Sequence, residues 1–333
     1  MNQPILIETQ HLSKHYQTGG GFLQRSKTYV RALEDVNLQI HQQETLGIVG
    51  ESGCGKTTLG RVLLRLIPAS QGSILFEGRD LLSMDRTELQ KTRRNLQMVF
   101  QNPYSSFDPR HSILMALAEP LKTHTELRGA ALEQQARRLL EQVGMPADAL
   151  SRYPHEFSGG QLQRIAAARA LALNPRFIVL DEPTSALDVS VQAQILNLLR
   201  GLQQQFQLTY LFISHDLGVV QYISDRIAVM YLGKVVELAP TSTFTREEIQ
   251  HPYTQLLLSA IPKVSRQKNT SRPVGPANVS DALRPPSGCS FHPRCPFAMP
   301  HCKQIEPQLV EIQPGHWTAC HLATPPAGAS TQA

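Results

Sequence analysis

The sequence predicts an α/β fold built around a mainly parallel sheet. Three observations carry this expectation. Short apolar runs at LGIVG (46–50), FIVLD (177–181) and TYLFISH (209–215) have the length and β-branched content of buried strands. Stretches between them repeat apolar residues every three or four positions, the spacing of a helix with one buried face. Strands alternating with helices is the pattern of an α/β core.

The elements follow in order. LGIVG ends in glycine and runs into ESGCGKTTLGRVLLRLI, where Leu59, Val62, Leu63 and Leu66 share one helical face before Pro68 stops the helix. SILFEG and LQMVF read as further strands. From about 111 to 150 the pattern is helical and rich in Ala, Leu, Gln and Arg. SGGQLQRIAAARALAL (158–173) is a strong helix closed by Asn174-Pro175. VQAQILNLLRGLQQQF (191–206) places Ile195, Leu198, Leu199 and Leu202 on one face, and IAVMYLGKVVELA (227–239) reads as a hairpin turning at Gly233. Composition shifts near 240. PKVSRQKNTSRPVGPANVS (262–280) reads as a linker or surface segment, and the final ATPPAGASTQA as disordered.

Composition bounds the function. With 333 residues, 41% hydrophobic and 18% charged, the chain can build one large or two ordinary domains. A net charge of +5 suits a nucleotide or an anionic membrane leaflet, and is too weak and scattered to argue for nucleic acid. The N-terminal MNQPILIETQHLSKHY has no charged stretch leading into an apolar core, so no signal peptide is expected. No window approaches the roughly 18 uncharged apolar residues of a membrane span. The expected compartment is the cytosol, where structural disulfides are rare.

GESGCGKT (Gly50–Thr57) fits G-x-x-x-x-G-K-[ST] between a strand and a helix, the context that gives the motif its meaning. Its backbone N–H groups turn inward around phosphates, so Ser52, Gly53, Cys54, Gly55, Lys56, Thr57 and Thr58 are candidate nucleotide contacts. Lys56 would reach the β- and γ-phosphates, and Thr57 would offer its hydroxyl to Mg²⁺. The plainer reading, a glycine-rich turn before a lysine, leaves the strand–loop–helix context unexplained. Cys54 occupies a free position of the motif and reads as a small packing residue. Asp181, ending the strand FIVLD, suits a water-mediated Mg²⁺ contact. Glu182 would polarise the attacking water as general base. Without the upstream loop these two carboxylates would be an ordinary strand end. FSGGQ (157–161) opens a helix with Ser158 as N-cap and bare N–H groups behind it, a second anion site in one chain. One ATP needs one cradle; the second is explained if it closes over an ATP held by another subunit.

These motifs resemble those of the nucleotide-binding subunits of ATP-binding cassette transporters, and they occur in that family's order over about residues 5 to 240. They are the phosphate loop, a Q-loop at Gln101 (VFQNP), the signature 157–161, the acid strand 177–182, a D-loop SALD (185–188) and a switch histidine, His215, in ISHD. The resemblance implies a P-loop nucleotide-binding domain with a RecA-like core, a helical subdomain at about 102–175 and an antiparallel β subdomain. It implies that Tyr16, or less directly Tyr29, stacks on adenine, and that Gln101 senses Mg²⁺ and couples ATP to membrane subunits. Ser158, Gly160 and Gln161 would clamp a partner's γ-phosphate, Arg152 would contact the partner's nucleotide, and His215 would hold the γ-phosphate and water. Residues 17 to 28 look like an insertion, and Phe157 stands where the family most often has leucine. Each lone residue also has a plainer reading: Gln101 as a surface glutamine, His215 as a strand-end histidine, Tyr16 as packing. Cassette ATPases of DNA or ribosomes carry long coiled coils or a second cassette, which this chain lacks. Glu182 and His215 are both present, which argues against a non-catalytic regulatory subunit.

Beyond a cassette domain at 1–250, HPYTQLLLSAIP (251–262) opens an extension, 251–333, that holds four of the five cysteines: Cys289, Cys295, Cys302 and Cys320. They can be buried free thiols, disulfides or a metal site. Clustering favours metal. The short Cys-x2–4-Cys knuckle of zinc fingers is absent, and looser spacing also suits an iron–sulfur cluster. His292, His301, His316 and His321 lie nearby as substitute ligands. The extension resembles that of oligopeptide, dipeptide and nickel importers, most of all the F-type ATP-binding subunit of dipeptide importers. That resemblance implies a [4Fe–4S] cluster, with Zn²⁺ the alternative. It also implies a peripheral ATPase on the cytoplasmic face of a bacterial inner membrane, with dipeptides as cargo and haem or 5-aminolevulinate as further cargoes. The implied partners are a second, non-identical ATPase subunit, two membrane permeases and a periplasmic peptide-binding protein, and no nucleic acid. An oligopeptide or nickel importer is the alternative.

Overall fold

The computed structural model describes residues 3–18, 28–245, 247–260 and 285–323. Residues 19–27 of the expected insertion, the linker at 262–280 and almost all of the C-terminal tail lie outside these residues. In chain order the elements are β1 (Ile5–Thr18), β2 (Thr28–His41), β3 (Thr45–Val49), α1 (Lys56–Leu63), β4 (Gln71–Phe76), β5 (Arg79–Asp80), α2 (Arg86–Thr92) and β6 (Leu96–Val99). Then come α3 (Ile113–His124), α4 (Gly129–Gln142), α5 (Gly159–Leu171), β7 (Phe177–Asp181), α6 (Val189–Phe206), β8 (Thr209–Ser214) and α7 (Leu217–Ile223). The hairpin strands β9 (Arg226–Tyr231) and β10 (Lys234–Pro240), the helix α8 (Pro252–Ser259) and the short strands β11 (Val310–Gln313) and β12 (His316–Thr318) complete the chain. Among the described residues no helix is long and apolar enough to cross a membrane.

The described residues fall into two compact units. One draws on residues 1–4, 41–45 and 83–213. In it β6, β7 and β8 run parallel, with Phe177 opposite both Leu96 and Thr209. Every residue of β7 and β8 is buried, which is why both strands read as unbroken apolar runs. Helices α3, α4, α5 and α6 pack in the same unit. Helix α6 buries Ile195, Leu196, Leu199 and Leu202, whereas Leu198 is only half-buried. The buried stripe is therefore turned slightly from the expected one.

The second unit draws on residues 5–40, 46–82 and 214–333. Its antiparallel sheet has the order β2–β1–β4–β5. The alternation of β1 is blurred because its pairing with β4 shifts register between Gln10 and Ser13, so buried side chains do not follow a clean period of two. The second set of strands runs β11–β12–β10–β9–β3. β3 and β9 are parallel, the hairpin β9–β10 turns at Gly233 as expected, and β12 continues the ladder by placing Thr318 opposite Glu237. The C-terminal extension thus adds strands directly to the hairpin. Helix α1 buries Leu59, Val62 and Leu63 completely but ends at Leu63. Arg65 turns left-handed (φ 49°) and leaves Leu66 48% exposed, a correction to the four-residue face.

Candidate functional site

The phosphate loop lies between the buried strand β3 and α1. Gly55 caps the helix at φ 107°, and a Cβ there would meet the Ala32 carbonyl oxygen at 2.3 Å, so the position admits only glycine. Lys56 is 5% exposed and donates from Nζ to the carbonyl oxygens of Gly50 (2.7 Å) and Glu51 (2.9 Å). The ammonium is thus held inside the turn rather than swinging in solvent. Ser52 and Gly53 form the exposed crest, and Thr57 and Thr58 are half-buried in the first helical turn. Cys54 is buried, its carbonyl accepts from Gly233 N–H at 2.9 Å, and burial pushes its thiol up. A neutral, enclosed thiol suits the packing role expected of it. In the same unit, Tyr16 on β1 is 39% exposed with the Lys14 ammonium 4.9 Å from its ring centroid, and Tyr29 on β2 is 47% exposed. His215 follows β8 and is exposed, while the next residue, Asp216, caps α7 by accepting from the backbone of Gly218 (2.8 Å) and Val219 (3.3 Å).

The other unit gathers the acid strand and the signature. Asp181 ends β7 and is 1% exposed. Glu182 sits at φ 46°, a left-handed conformation costly for a residue with a Cβ, and its N–H donates to Ile213 O at 2.9 Å. Its carboxylate accepts a 3.0 Å hydrogen bond from Gln101 Nε2. The two residues expected at the chemistry are therefore in direct contact.

Ser158 caps α5 through a reciprocal box. Its Oγ accepts from Gln161 N–H at 3.3 Å, and Gln161 Oε1 accepts from Ser158 N–H at 3.0 Å. The serine hydroxyl proton stays available for an anion. A Cβ on Gly160 would meet Val191 Cγ1 at 2.4 Å, so the helix start packs tightly against α6. Arg152 donates to Glu156 O at 2.6 Å, and its guanidinium carbon lies 4.3 Å from the Phe157 ring centroid. Phe157 is buried, and its carbonyl accepts from the Tyr104 hydroxyl at 3.1 Å.

The four cysteines of the extension line one pocket together with Phe291, Phe297 and Met299. Backbone bonds tie their loops: Cys289 N–H donates to Cys302 O (2.8 Å), and Cys295 N–H to His292 O (3.3 Å). Met299 N–H donates to Cys302 Sγ at 3.4 Å, the kind of contact that steadies a thiolate. Burial, reinforced by neighbouring sulfurs, pushes Cys289 and Cys295 up and Cys320 up to about 11. Among the described residues, His301, Cys302 and His321 bring three donor atoms within 4.8 Å of one another. A single Zn²⁺ with Zn–S bonds of ~2.3 Å would draw tetrahedral sulfurs to about 3.8 Å. A multi-iron cluster spreads its thiolates wider. His292 and His316 are engaged elsewhere, on Cys289 O and Glu237 respectively.

Sequence reasoning missed Glu51, Tyr253 and Arg294. Arg294 donates from both terminal nitrogens to the Glu51 carboxylate at 2.8 Å each, and the Tyr253 hydroxyl accepts from Glu51 N–H at 2.9 Å. It also missed a buried cluster in which Glu237 accepts from His316 Nε2 (2.8 Å) and from Gln250 N–H (2.9 Å). An acidic side chain inside a loop that binds anions was the available signal, since it calls for a nearby cation.

A phosphate loop with an inward lysine, a carboxylate pair ending a parallel strand and an anion-ready, capped helix define an ATPase of the ATP-binding cassette class. Residues 33–185 match the ABC transporter family, and residues 236–302 match the C-terminal region of oligopeptide/dipeptide transporters. The chain is 46% identical over 324 residues to the oligopeptide transport ATP-binding protein AppF of Bacillus subtilis, covering 96% of this chain and 98% of the other. It is 48% identical over 320 residues to a putative peptide import ATP-binding protein of Brucella ovis, again covering 96% and 98%. Among solved structures it is similar to the dimeric cassette MJ0796 in a post-hydrolysis state bound to ADP and Pi, with a TM-score of 0.63, 29% identity, and coverage of 71% of this chain and 99% of that one. The chain belongs to the family of ATP-binding subunits of peptide-importing ABC transporters, whose ATP hydrolysis is coupled to import.

Proposed function

We propose that this chain is one of two non-identical cassette subunits that energise uptake of dipeptides across a bacterial inner membrane. It would sit on the cytoplasmic face beneath two permeases fed by a periplasmic peptide-binding protein. The observation that carries this reading is the extension: residues 236–302 match a region named for oligopeptide and dipeptide transporters, and β12, beyond that match, pairs with the hairpin strand β10. The name of the Bacillus relative favours oligopeptides as the second reading.

In this reading Lys56 and the loop N–H groups bind the ATP phosphates, and Tyr16 stacks on adenine. Thr57, Gln101 and Asp181 would hold Mg²⁺, which supplies charge neutralisation at the phosphates. Glu182 takes the proton of the attacking water, oriented by the Gln101 amide that touches it. His215 steadies the same water and the γ-phosphate. Ser158, Gly160, Gln161 and Arg152 complete the partner's site, and the partner's signature completes this one.

Cys289, Cys295, Cys302 and Cys320 would hold a [4Fe–4S] cluster, which supplies a covalent cross-link among loops that are too short to form a core. Their shared pocket supports a common metal site, and the resemblance of the extension favours a cluster over zinc. Anaerobic purification followed by iron, sulfide and zinc analysis tests this. About four irons per chain, with a brown chromophore, is the expected result. One zinc and no colour would replace the cluster by the alternative, and no metal would return the cysteines to buried thiols.

A further inference from the structure

The contact between Arg294 and Glu51 links residues 243 positions apart and joins two parts of the molecule with separate chemistry. Glu51 is the second residue of the phosphate loop. Its N–H donates to Tyr253 Oη, its carbonyl accepts from Lys56 Nζ, and its carboxylate is gripped at both oxygens by one guanidinium. Arg294 lies between Cys289 and Cys295, in the turn His292–Arg294. Its N–H donates to Phe291 O at 3.0 Å, so its position follows the cysteine loops directly.

The arginine is built in. Its side chain is 10% exposed, against 42% for Glu51. The guanidinium carbon lies 5.7 Å from the Phe291 ring centroid and 5.8 Å from that of Tyr231. Phe291, Tyr231 and Tyr253 pack on one another with centroids 4.6 to 5.4 Å apart. Arg294 Nε is buried with no hydrogen-bond partner. Burying a guanidinium with one nitrogen unsatisfied is costly, and an apolar residue in that aromatic setting would avoid the cost. What the arginine alone supplies is a planar fork matched to a carboxylate. Two consequences follow at the loop. The Glu51 peptide, which takes part in holding Lys56, is fixed at three points. The Glu51 carboxylate, which would otherwise repel a polyphosphate, is neutralised.

We propose that Arg294 is a positioning residue for nucleotide binding, and that through it the extension sets the shape and charge of the phosphate loop. The cassette's affinity for nucleotide then depends on an intact cysteine module. This rests on the phosphate loop being the nucleotide site, and it holds whichever metal the cysteines carry.

The test is Mg·ADP binding to the full-length chain by calorimetry, with iron and zinc measured on the same preparations. R294A is expected to weaken binding about tenfold. R294K, which keeps the charge but loses the fork, is expected to weaken it about threefold. The E51Q/R294A double variant should bind no worse than E51Q, because the arginine acts through that carboxylate. Removing metal from the wild type should weaken binding, and removing it from R294A should change little further. Binding within twofold of wild type for both R294A and R294K, or fully additive effects of E51Q and R294A, would overturn the proposal. If R294A does not fold, R294K and E51Q decide the matter. A wild-type chain without metal would sink the cluster reading alone, because the comparison of R294K and E51Q with wild type still stands.

Discussion

Gln101 donates a 3.0 Å hydrogen bond to the Glu182 carboxylate across 81 positions of sequence, and Glu182 meets it from a left-handed backbone. A strained backbone is kept where surrounding contacts force it, here the Glu182 N–H bond to Ile213 O and the Ser185 hydroxyl on Glu182 O (3.1 Å). The geometry aims one carboxylate and leaves it in contact with one amide. That arrangement suits a base whose partner changes when a metal or membrane subunit engages the glutamine.

The first prediction concerns this pair. Glu182→Gln should lower ATP turnover roughly 10²–10⁴-fold, the scale of lost general-base catalysis, with Mg·ATP affinity within a few-fold of wild type. Gln101→Ala should lower turnover less and leave nucleotide binding intact. Single-turnover hydrolysis alongside equilibrium binding separates the two quantities. Undiminished turnover in Glu182→Gln would remove the glutamate from the role of base.

Ser158 caps α5 and is proposed to meet a partner's γ-phosphate, and a pair of variants separates the two roles. Ser158→Ala loses the N-cap bond to Gln161 and should cost about 1 kcal/mol of stability. Ser158→Asp keeps a capping oxygen and should restore the melting temperature, yet places a negative charge where a γ-phosphate is expected. Its ATPase activity in the assembled complex should therefore fall below that of Ser158→Ala. Equal activity in the two variants would leave Ser158 as a cap alone.

Acid should loosen the hairpin and extension together. His251 caps α8 by accepting from Tyr253 N–H at 3.1 Å, and burial lowers its pKa to about 4, with Glu237 opposing that shift. An unfolded chain takes up this proton first as pH falls below about 6.5, so stability is present above that value and drains away towards pH 4. The loss approaches on the order of 3 kcal/mol at the lower end. His251→Asn, which can cap without titrating, should flatten the fall in melting temperature between pH 6.5 and 4.5. An unchanged slope would assign the acid sensitivity to another group.

Much of the cassette was legible because its signals are local. The phosphate loop is contiguous, β7 and β8 are buried on both faces and read as apolar runs, and Ser158 announces its own helix. What was hidden depends on pairing at a distance. The Arg294–Glu51 contact cannot be seen in either segment alone. The addition of β12 to β10 rests on a few residues with no periodic pattern. In β1 the register shift mixes polar with buried positions. Leu66 failed because the chain turns left-handed at Arg65, which the apolar spacing does not encode. The clustering of the cysteines was plain in sequence; that all four share one pocket became visible only with the backbone bonds tying Cys289 to Cys302.

ATP hydrolysis by this chain is coupled to peptide import. Sealed membrane vesicles holding the assembled transporter allow labelled dipeptide uptake and ATP consumption to be followed together. Coupling through this subunit requires uptake that depends on ATP, ATP consumption that rises with dipeptide, and loss of both in Glu182→Gln. Uptake that continues at the wild-type rate with Glu182→Gln, or ATP hydrolysis indifferent to any peptide, would contradict it.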